Sequence, residues 1–524
     1  MSVPPQQFPP QQFPPPGPPA GFPPQAFPTQ AGPPPVPRPF GQPPFPGAPQ
    51  GPAGPPPWQA GPPAGGPDPA QRRRPLLRIL LIGLGVVFAL LGVLVVLVVR
   101  NVQKQHEYAA NRPDPHAAWQ KVADGMTAAL AAKDEEAFLK PFKDAQLREK
   151  QRRTFRNLVR IPWDKAEWVV RAPAPTVTGE LPVTFVHQVK GVDLLPLPEE
   201  YTWHVAGTGV TGTATASAAA TGTGADDRVI TDVAGDSSSN TALYPGPWDL
   251  YGELAVAVRG NLVVVADKAQ GGEVARDADI LDRAAQDDLA AWRKAGPATS
   301  GGRSAGRGFF VVLEKNRDVY NKLYAGDGRK NDRLEAGVNM PVVAYGARHE
   351  ESGGSRIVMD TAQSRFTGKN WKDGVSEIGR HEMAHAIVEP FRTEVALVKD
   401  MASTQMWVVE GFADYMAFRG RDAAAAADTK AALHGYAAPV GLPPVADFYS
   451  DKARQRSANY TLSADAVRYL AATYGEDKAL AFVAAHYTDP KNYQQEIATA
   501  TGRSVEQFQA EWAADLRSRV PGLH

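Results

Sequence analysis

The sequence predicts an α+β protein attached through a single membrane-spanning helix, and three observations carry that expectation. Twenty-one residues, Ile79 to Val99, run without a charge, a proline or a polar side chain. Beyond them, apolar residues at helical spacing give way to runs of strand character. Further on, His381-Glu382-Met383-Ala384-His385 sits among uncharged residues that suit a helix packed against a core, and alanine-, leucine- and tyrosine-rich helical segments follow it.

At 524 residues the chain exceeds one typical domain. More than half of its 49 prolines fall in the first 70 residues, where Gln-Gln-Phe-Pro-Pro is repeated at 6–10 and 11–15. That composition has too little apolar material to offset the entropy of ordering, so 1–70 is expected to be a disordered, Pro-rich cytoplasmic tail, with a docking partner for its proline motifs as the sharper reading. The apolar run that follows matches the roughly 20 helical residues needed to cross about 30 Å of hydrocarbon. Residues 76–100 are therefore read as a single-pass transmembrane helix in the cell membrane. Arg72, Arg73, Arg74 and Arg78 on its N-terminal flank favour a cytoplasmic N-terminus and extracytoplasmic C-terminal domains.

Residues 105–300 are expected to form a membrane-proximal α+β domain. Trp119, Val122, Met126, Ala129, Leu130 and Phe138 recur at helical spacing between His116 and Phe142. Strand-like runs follow at Glu167 to Val170, Val183 to Val189, Tyr201 to Val205 and Leu254 to Val265, the last broken by the turn pair Gly260-Asn261. Thr211 to Ala225 reads as a loop or an edge hairpin. A polar helix ending near Lys294 leads into a Gly/Ser-rich link taken as the domain boundary. Residues 305–524 then open with strands at Phe309 to Leu313, Pro341 to Tyr345 and Arg356 to Met359, and close with helices at Ser463 to Tyr474, Lys478 to His486 and Ser504 to Arg517.

Chemistry concentrates in this last part. Two histidines four apart project from one helix face, so His381 and His385 can reach one metal ion. Glu382 is placed to accept a proton from water beside that ion. Catalytic zinc takes three protein ligands, and Glu410 in the stretch Trp407-Val408-Val409-Glu410-Gly411-Phe412-Ala413-Asp414-Tyr415 is the best third. Asp414, one turn on, suits an outer acceptor for a ligand histidine. For the oxyanion, Tyr460 is the first choice and His486 the second. His187, His204, His349 and His434 have no ligand-like spacing and read as structural. The chain has no cysteine, which excludes thiolate catalysis and cysteine-ligated zinc, and 56 acidic against 56 basic residues leave no electrostatic footprint for nucleic acid.

The pair HEMAH and WVVEGFADY resembles the gluzincins of the peptidase MA-like superfamily, with the Glu-x-x-x-Asp spacing of the thermolysin type. The resemblance covers about residues 305 to 520 and implies Zn2+ held by His381, His385 and Glu410, with Glu382 as base, Asp414 behind the ligands and a zincin-like, mostly helical domain with a small sheet. The 24 residues from 386 to 409 form a longer connection than in the gluzincin aminopeptidases. In such folds a strand before the active-site helix pairs with extended substrate, and Arg356 to Met359 is placed in sequence to do so. The long helix and strands of 105–300 resemble the nuclear-transport-factor-like α+β fold. The expected function is a membrane-anchored metallopeptidase acting on extracytoplasmic protein or peptide substrates. The alternative is a catalytically inactive zincin-fold sensing or binding ectodomain with a cytoplasmic docking tail.

Overall fold

The computed structural model describes residues 115–171, 179–206, 228–235, 246–324, 335–346, 351–392 and 403–524. The chain divides into two units, Met1–Leu97 and Val98–His524, and every described residue belongs to the second. The Pro-rich tail, the apolar run 79–99 and the segment 211–225 lie outside the described residues.

Helices α1 (Pro115–Ala132), α2 (Glu135–Leu139) and α3 (Ala145–Leu158) precede a four-stranded antiparallel sheet with strands in chain order, β1 (Trp163–Val170), β2 (Glu180–Val189), β3 (Leu197–Ala206) and β4 (Val229–Gly235). Trp119, Ala123, Met126 and Leu130 form the buried stripe of α1. The sequence reading omits α3 because charged residues dominate it. Leu147, Phe155 and Leu158 nevertheless face the core, and the Asp144 side chain caps the helix by accepting from the Leu147 N–H at 2.8 Å.

On β3 the odd-numbered residues from Leu197 to Val205 point inward, and one of them is Glu199. Its carboxylate accepts from the Gly246 N–H at 2.6 Å and from the Trp248 indole at 2.9 Å, pinning the short helix α4 (Pro247–Leu250). Burial pushes Glu199 up to about 8, with the negative charge of Asp249 adding to the rise. The folded protein therefore holds this proton more tightly than the unfolded chain does. The resulting stability is complete below the ordinary value of 4.5 and is lost as pH rises through about 8. Stability should fall from pH 5 to pH 9 by an amount on the order of 4 kcal/mol, read as a lower melting temperature. Glu199→Gln should flatten that slope, and an unchanged slope would contradict the assignment.

The second sheet has five strands. Its hairpin β5 (Leu254–Arg259) and β6 (Leu262–Asp267) turns at Gly260, whose φ of 52° suits glycine. Helix α5 (Gly271–Ala295) follows, then a two-stranded ribbon, β7 (Thr299–Ser300) with β8 (Arg303–Ser304). Strand β9 (Phe309–Glu314) lies parallel to β6, helix α6 (Arg317–Tyr324) follows it, and β10 (Gly337–Val343) forms an antiparallel pair with β11 (Ser352–Asp360), which is parallel to β9. Parallel neighbours require a crossover, and α5 supplies the one between β6 and β9.

Strands β6 and β9 are buried on both faces, as their unbroken apolar runs Leu-Val-Val-Val-Ala and Phe-Phe-Val-Val-Leu demand. Leu262, Val264, Phe309, Val311, Ile357 and Met359 enter a core shared with α5 and the helices that follow. Val263, Val265, Phe310, Val312 and Val358 enter a second core shared with α1 to α3 and the first sheet. The expected boundary near 300 separated β5, β6 and α5 from the strands after 305. The ladder from Leu262↔Phe309 to Val265↔Val312 joins them.

Beyond the sheet come α7 (Trp371–Val388), α8 (Met406–Phe418), α9 (Asp422–Ala432), α10 (Ala453–Tyr474), α11 (Glu476–Thr488), α12 (Tyr493–Thr501) and α13 (Val505–Arg519). The last opens with a capping box between Ser504 and Gln507.

The expected fold class is corrected on one point. Among the described residues no helix is long and apolar enough to cross a membrane, so the architecture they form is mixed α and β without a spanning helix. The longest of these helices, α5, has 25 residues, but its Glu273, Arg276, Asp277, Asp279, Asp282 and Arg283 put charges on every turn. Such a helix packs one stripe against a core and keeps the other in water.

Candidate active site

Helix α7 carries His381, Glu382 and His385, and α8 carries Glu410 and Asp414. The position of α7 is fixed from behind by Arg380, whose guanidinium donates to Asp288 of α5 at 2.8 Å and to the Ala417 and Arg419 carbonyls beyond. Gly411 lets α8 approach α10 closely, since a Cβ there would lie 2.5 Å from the Ser463 carbonyl oxygen. Glu410 is thereby held toward the histidines.

Three donor atoms converge. His381 Nε2 lies 3.3 Å from His385 Nε2 and 3.3 Å from Glu410 Oε2, and His385 Nε2 lies 3.7 Å from the same oxygen. A tetrahedral ion with bonds of about 2.0–2.1 Å separates its ligands by about 3.3 Å, so the set fits zinc without rearrangement. Among the described residues this trio forms the one such cluster of metal-ligating side chains.

Each ligand is gripped from outside. Asp414 Oδ1 sits 2.7 Å from His381 Nδ1, the Tyr449 hydroxyl donates to Glu410 Oε1 at 2.7 Å, and the Tyr487 hydroxyl lies 3.2 Å from His385 Nδ1. Burial opposes a charged His381, but the carboxylates of Asp414 and Glu410 outweigh it and raise its proton affinity well above the ordinary value. Burial likewise opposes a charged Glu410, and hydrogen bonds from both histidines overcome it and hold the carboxyl far below the usual range. The pocket between these atoms stabilises positive charge, which is what a cation site requires.

Glu382 is buried beside the trio but is not one of its converging donors. Burial pushes it up to about 6 against the pull of His381 and His385, and the charges of Glu410 and Glu335 add to the rise. Tyr460 lies inside α10, which begins at Ala453 and not at Ser463, with its ring centroid 6.4 Å from that of His381. Its neighbours Phe448 and Tyr449 complete an aromatic wall over the ligands. His486 is not part of the site. Its Nε2 accepts from the Gln405 N–H at 2.9 Å and its Nδ1 faces Glu496 at 3.0 Å, which fixes the start of α8.

The strand expected to meet substrate is also corrected. Residues 356–359 lie in β11, whose two edges are already paired with β10 and β9, so no backbone group there is free for a peptide. Among the described residues the outer strands of this sheet are β10 and β5, and β10 is the one beside the active-site helix. Pro341, which has no N–H for a ladder, is tolerated there because only one side of the strand is paired. Gly337 at the start of β10 abuts the active-site helix: a Cβ would lie 2.9 Å from Glu382 Oε1 and 2.8 Å from Ile378 Cγ2.

Sequence reasoning missed Tyr449 and Tyr487, because neither stands at a motif spacing from the histidines. The aromatic pair Phe448-Tyr449 ahead of a helix was a weak signal for the first. No local signal marks the second.

No protein-family model matches the chain, and no curated protein matches it. Among solved structures it is similar to an M1 zinc metallopeptidase from Deinococcus radiodurans, at 15% identity, over 52% of this chain and 52% of that chain, with a TM-score of 0.27. The chain thus spans about half the length of that enzyme.

Proposed function

We propose that the chain is a zinc-dependent metallopeptidase that hydrolyses peptide bonds of protein or peptide substrates. One observation carries the reading: three donor atoms at tetrahedral spacing, with a buried carboxylate of raised proton affinity beside them. A zinc ion held by His381, His385 and Glu410 supplies Lewis acidity and acidifies water toward neutral pH.

The remaining work falls to the chain's own side chains. Glu382 accepts a proton from the attacking water and returns it to the leaving nitrogen. The hydroxyl of Tyr460 stands on the wall where an oxyanion needs a donor, and burial keeps it protonated, raising its proton affinity well above that of free tyrosine. The free edge of β10 offers backbone groups to an extended peptide, a mode of recognition largely indifferent to side chains.

A chelator should abolish hydrolysis of a peptide library by the full chain, and added zinc should restore it. Glu410→Ala should bind zinc far more weakly and lose activity with it. Hydrolysis that persists through chelation would sink the zinc reading, and a zinc-loaded protein that cleaves no peptide would sink the peptidase reading. Gly337→Ala gives a finer check. The added methyl must displace the Glu382 carboxylate, so kcat should fall by about tenfold or more while zinc content and melting temperature hold. Unchanged kcat would mean that β10 does not constrain the base.

A further inference from the structure

We propose that Tyr487 of α11 is the positioning residue of His385, held in place by Arg392 and Glu389, so that the C-terminal helical lobe forms part of the metal centre. The inference rests on the zinc-site reading above and adds a residue that neither motif contains.

With Nε2 of His385 turned toward His381 and Glu410, its Nδ1 carries the proton and needs an acceptor. The atom facing Nδ1 is the Tyr487 hydroxyl oxygen, at 3.2 Å. His381 has a carboxylate in the equivalent place, Asp414. The two histidines are therefore oriented by different chemistry, one by a carboxylate and one by a hydroxyl.

Tyr487 is itself fixed. It is 4% exposed, and the Arg392 guanidinium lies 4.6 Å from its ring centroid. Arg392 in turn donates to the buried Glu389 carboxylate at 2.9 Å. Glu389 stands one helical turn beyond His385, where α7 runs into a 3₁₀ turn. The contacts close a circuit: His385 to Tyr487, Tyr487 to Arg392, Arg392 to Glu389, and Glu389 back to the end of the helix that carries His385. A hydrogen bond alone could be incidental. A circuit that begins and ends on the ligand's own helix fixes the orientation of the imidazole, as partners of metal-bound histidines do.

The test is metal affinity of the full chain, measured for zinc by competition with a chelator and for cobalt(II) by its ligand-field absorption. Removing an outer partner of a ligand costs about 10–100-fold in affinity. Tyr487→Phe, which deletes one oxygen, should weaken both metals by about tenfold or more and alter the cobalt band, while the metal-free protein melts as the parent does. Affinity and spectrum equal to the parent's would overturn the proposal. If Tyr487→Phe lowers the melting temperature of the metal-free chain, Arg392→Met decides, because it keeps the hydroxyl and removes what holds the ring. Weaker binding in that variant supports the circuit, and parental binding overturns it. A parent that takes up neither metal would instead overturn the zinc reading itself, a result readily told apart from the others.

Discussion

Glu382→Gln is expected to slow peptide hydrolysis by about 10²–10⁴-fold while leaving the protein folded and its metal in place. The substitution keeps the size and shape of the side chain and removes its ability to take a proton. Glu382 is buried on α7 beside the metal-ligating trio, and none of the converging donor atoms belongs to it. Metal content should therefore be unaffected. The proton affinity of the carboxyl, pushed up to about 6 by burial, suits a base that must both take and release a proton near neutrality. It is ionised above that value and protonated below it, so kcat/KM should rise with pH through an acid limb. A neighbouring cation favours the ionised form and shifts that limb downward. Loss of metal from the variant would mean that Glu382 is a ligand, and undiminished hydrolysis would mean that another group is the base.

Asp193→Ala is expected to destabilise the protein by about 3–5 kcal/mol in denaturant unfolding, because it strands a buried cation. The Arg356 guanidinium on β11 donates to Asp193 Oδ1 at 2.6 Å and to Oδ2 at 3.0 Å, and both side chains are fully shielded from water. Asp193 also accepts from the Val189 N–H at 2.7 Å, and Arg356 lies 5.0 Å from the Phe310 ring centroid. The pair joins the loop between β2 and β3 to the β10–β11 hairpin. Backbone bonds reinforce the joint: Leu194 and Leu195 both donate to the Gly353 carbonyl, and Tyr345 donates to that of Pro196. The doubly substituted Asp193→Ala/Arg356→Met protein should recover much of the loss, since no charge is left buried. A single variant as stable as the parent would show that water reaches Arg356 and solvates it.

The parts of this site that were legible in the sequence are those fixed by local geometry. His381 and His385 share a face because a helix repeats every 3.6 residues, and Glu410 and Asp414 do so for the same reason. The convergence of the two helices depended on family resemblance, since no spacing rule fixes how a helix packs when 24 residues separate its ligand from His385. What could not be read is what only tertiary structure creates. Tyr487 is 102 positions from His385 and Tyr449 is 39 from Glu410, and no spacing rule spans such distances. The strand character of residues 356–359 was legible, but which strand is an edge depends on pairing order, and pairing is non-local. Helix α3 was a different omission. Its apolar residues 147, 155 and 158 keep helical spacing, and a count of that period beneath the charges would have found it.

The two-faced sheet has a consequence for the order in which the chain can assemble. Strands β6 and β9 give alternate residues to opposite cores, so neither core is complete until the other's strands have docked. A slip of one position in β9 would exchange Phe309, Val311 and Leu313 for Phe310 and Val312, spoiling both interiors at once. Strand β9 is therefore covered on both faces only once the segment 254–295 is in place. During synthesis from the N-terminus that order is met automatically. A fragment that begins at the Gly/Ser link would have to fold with one side of its own sheet bare.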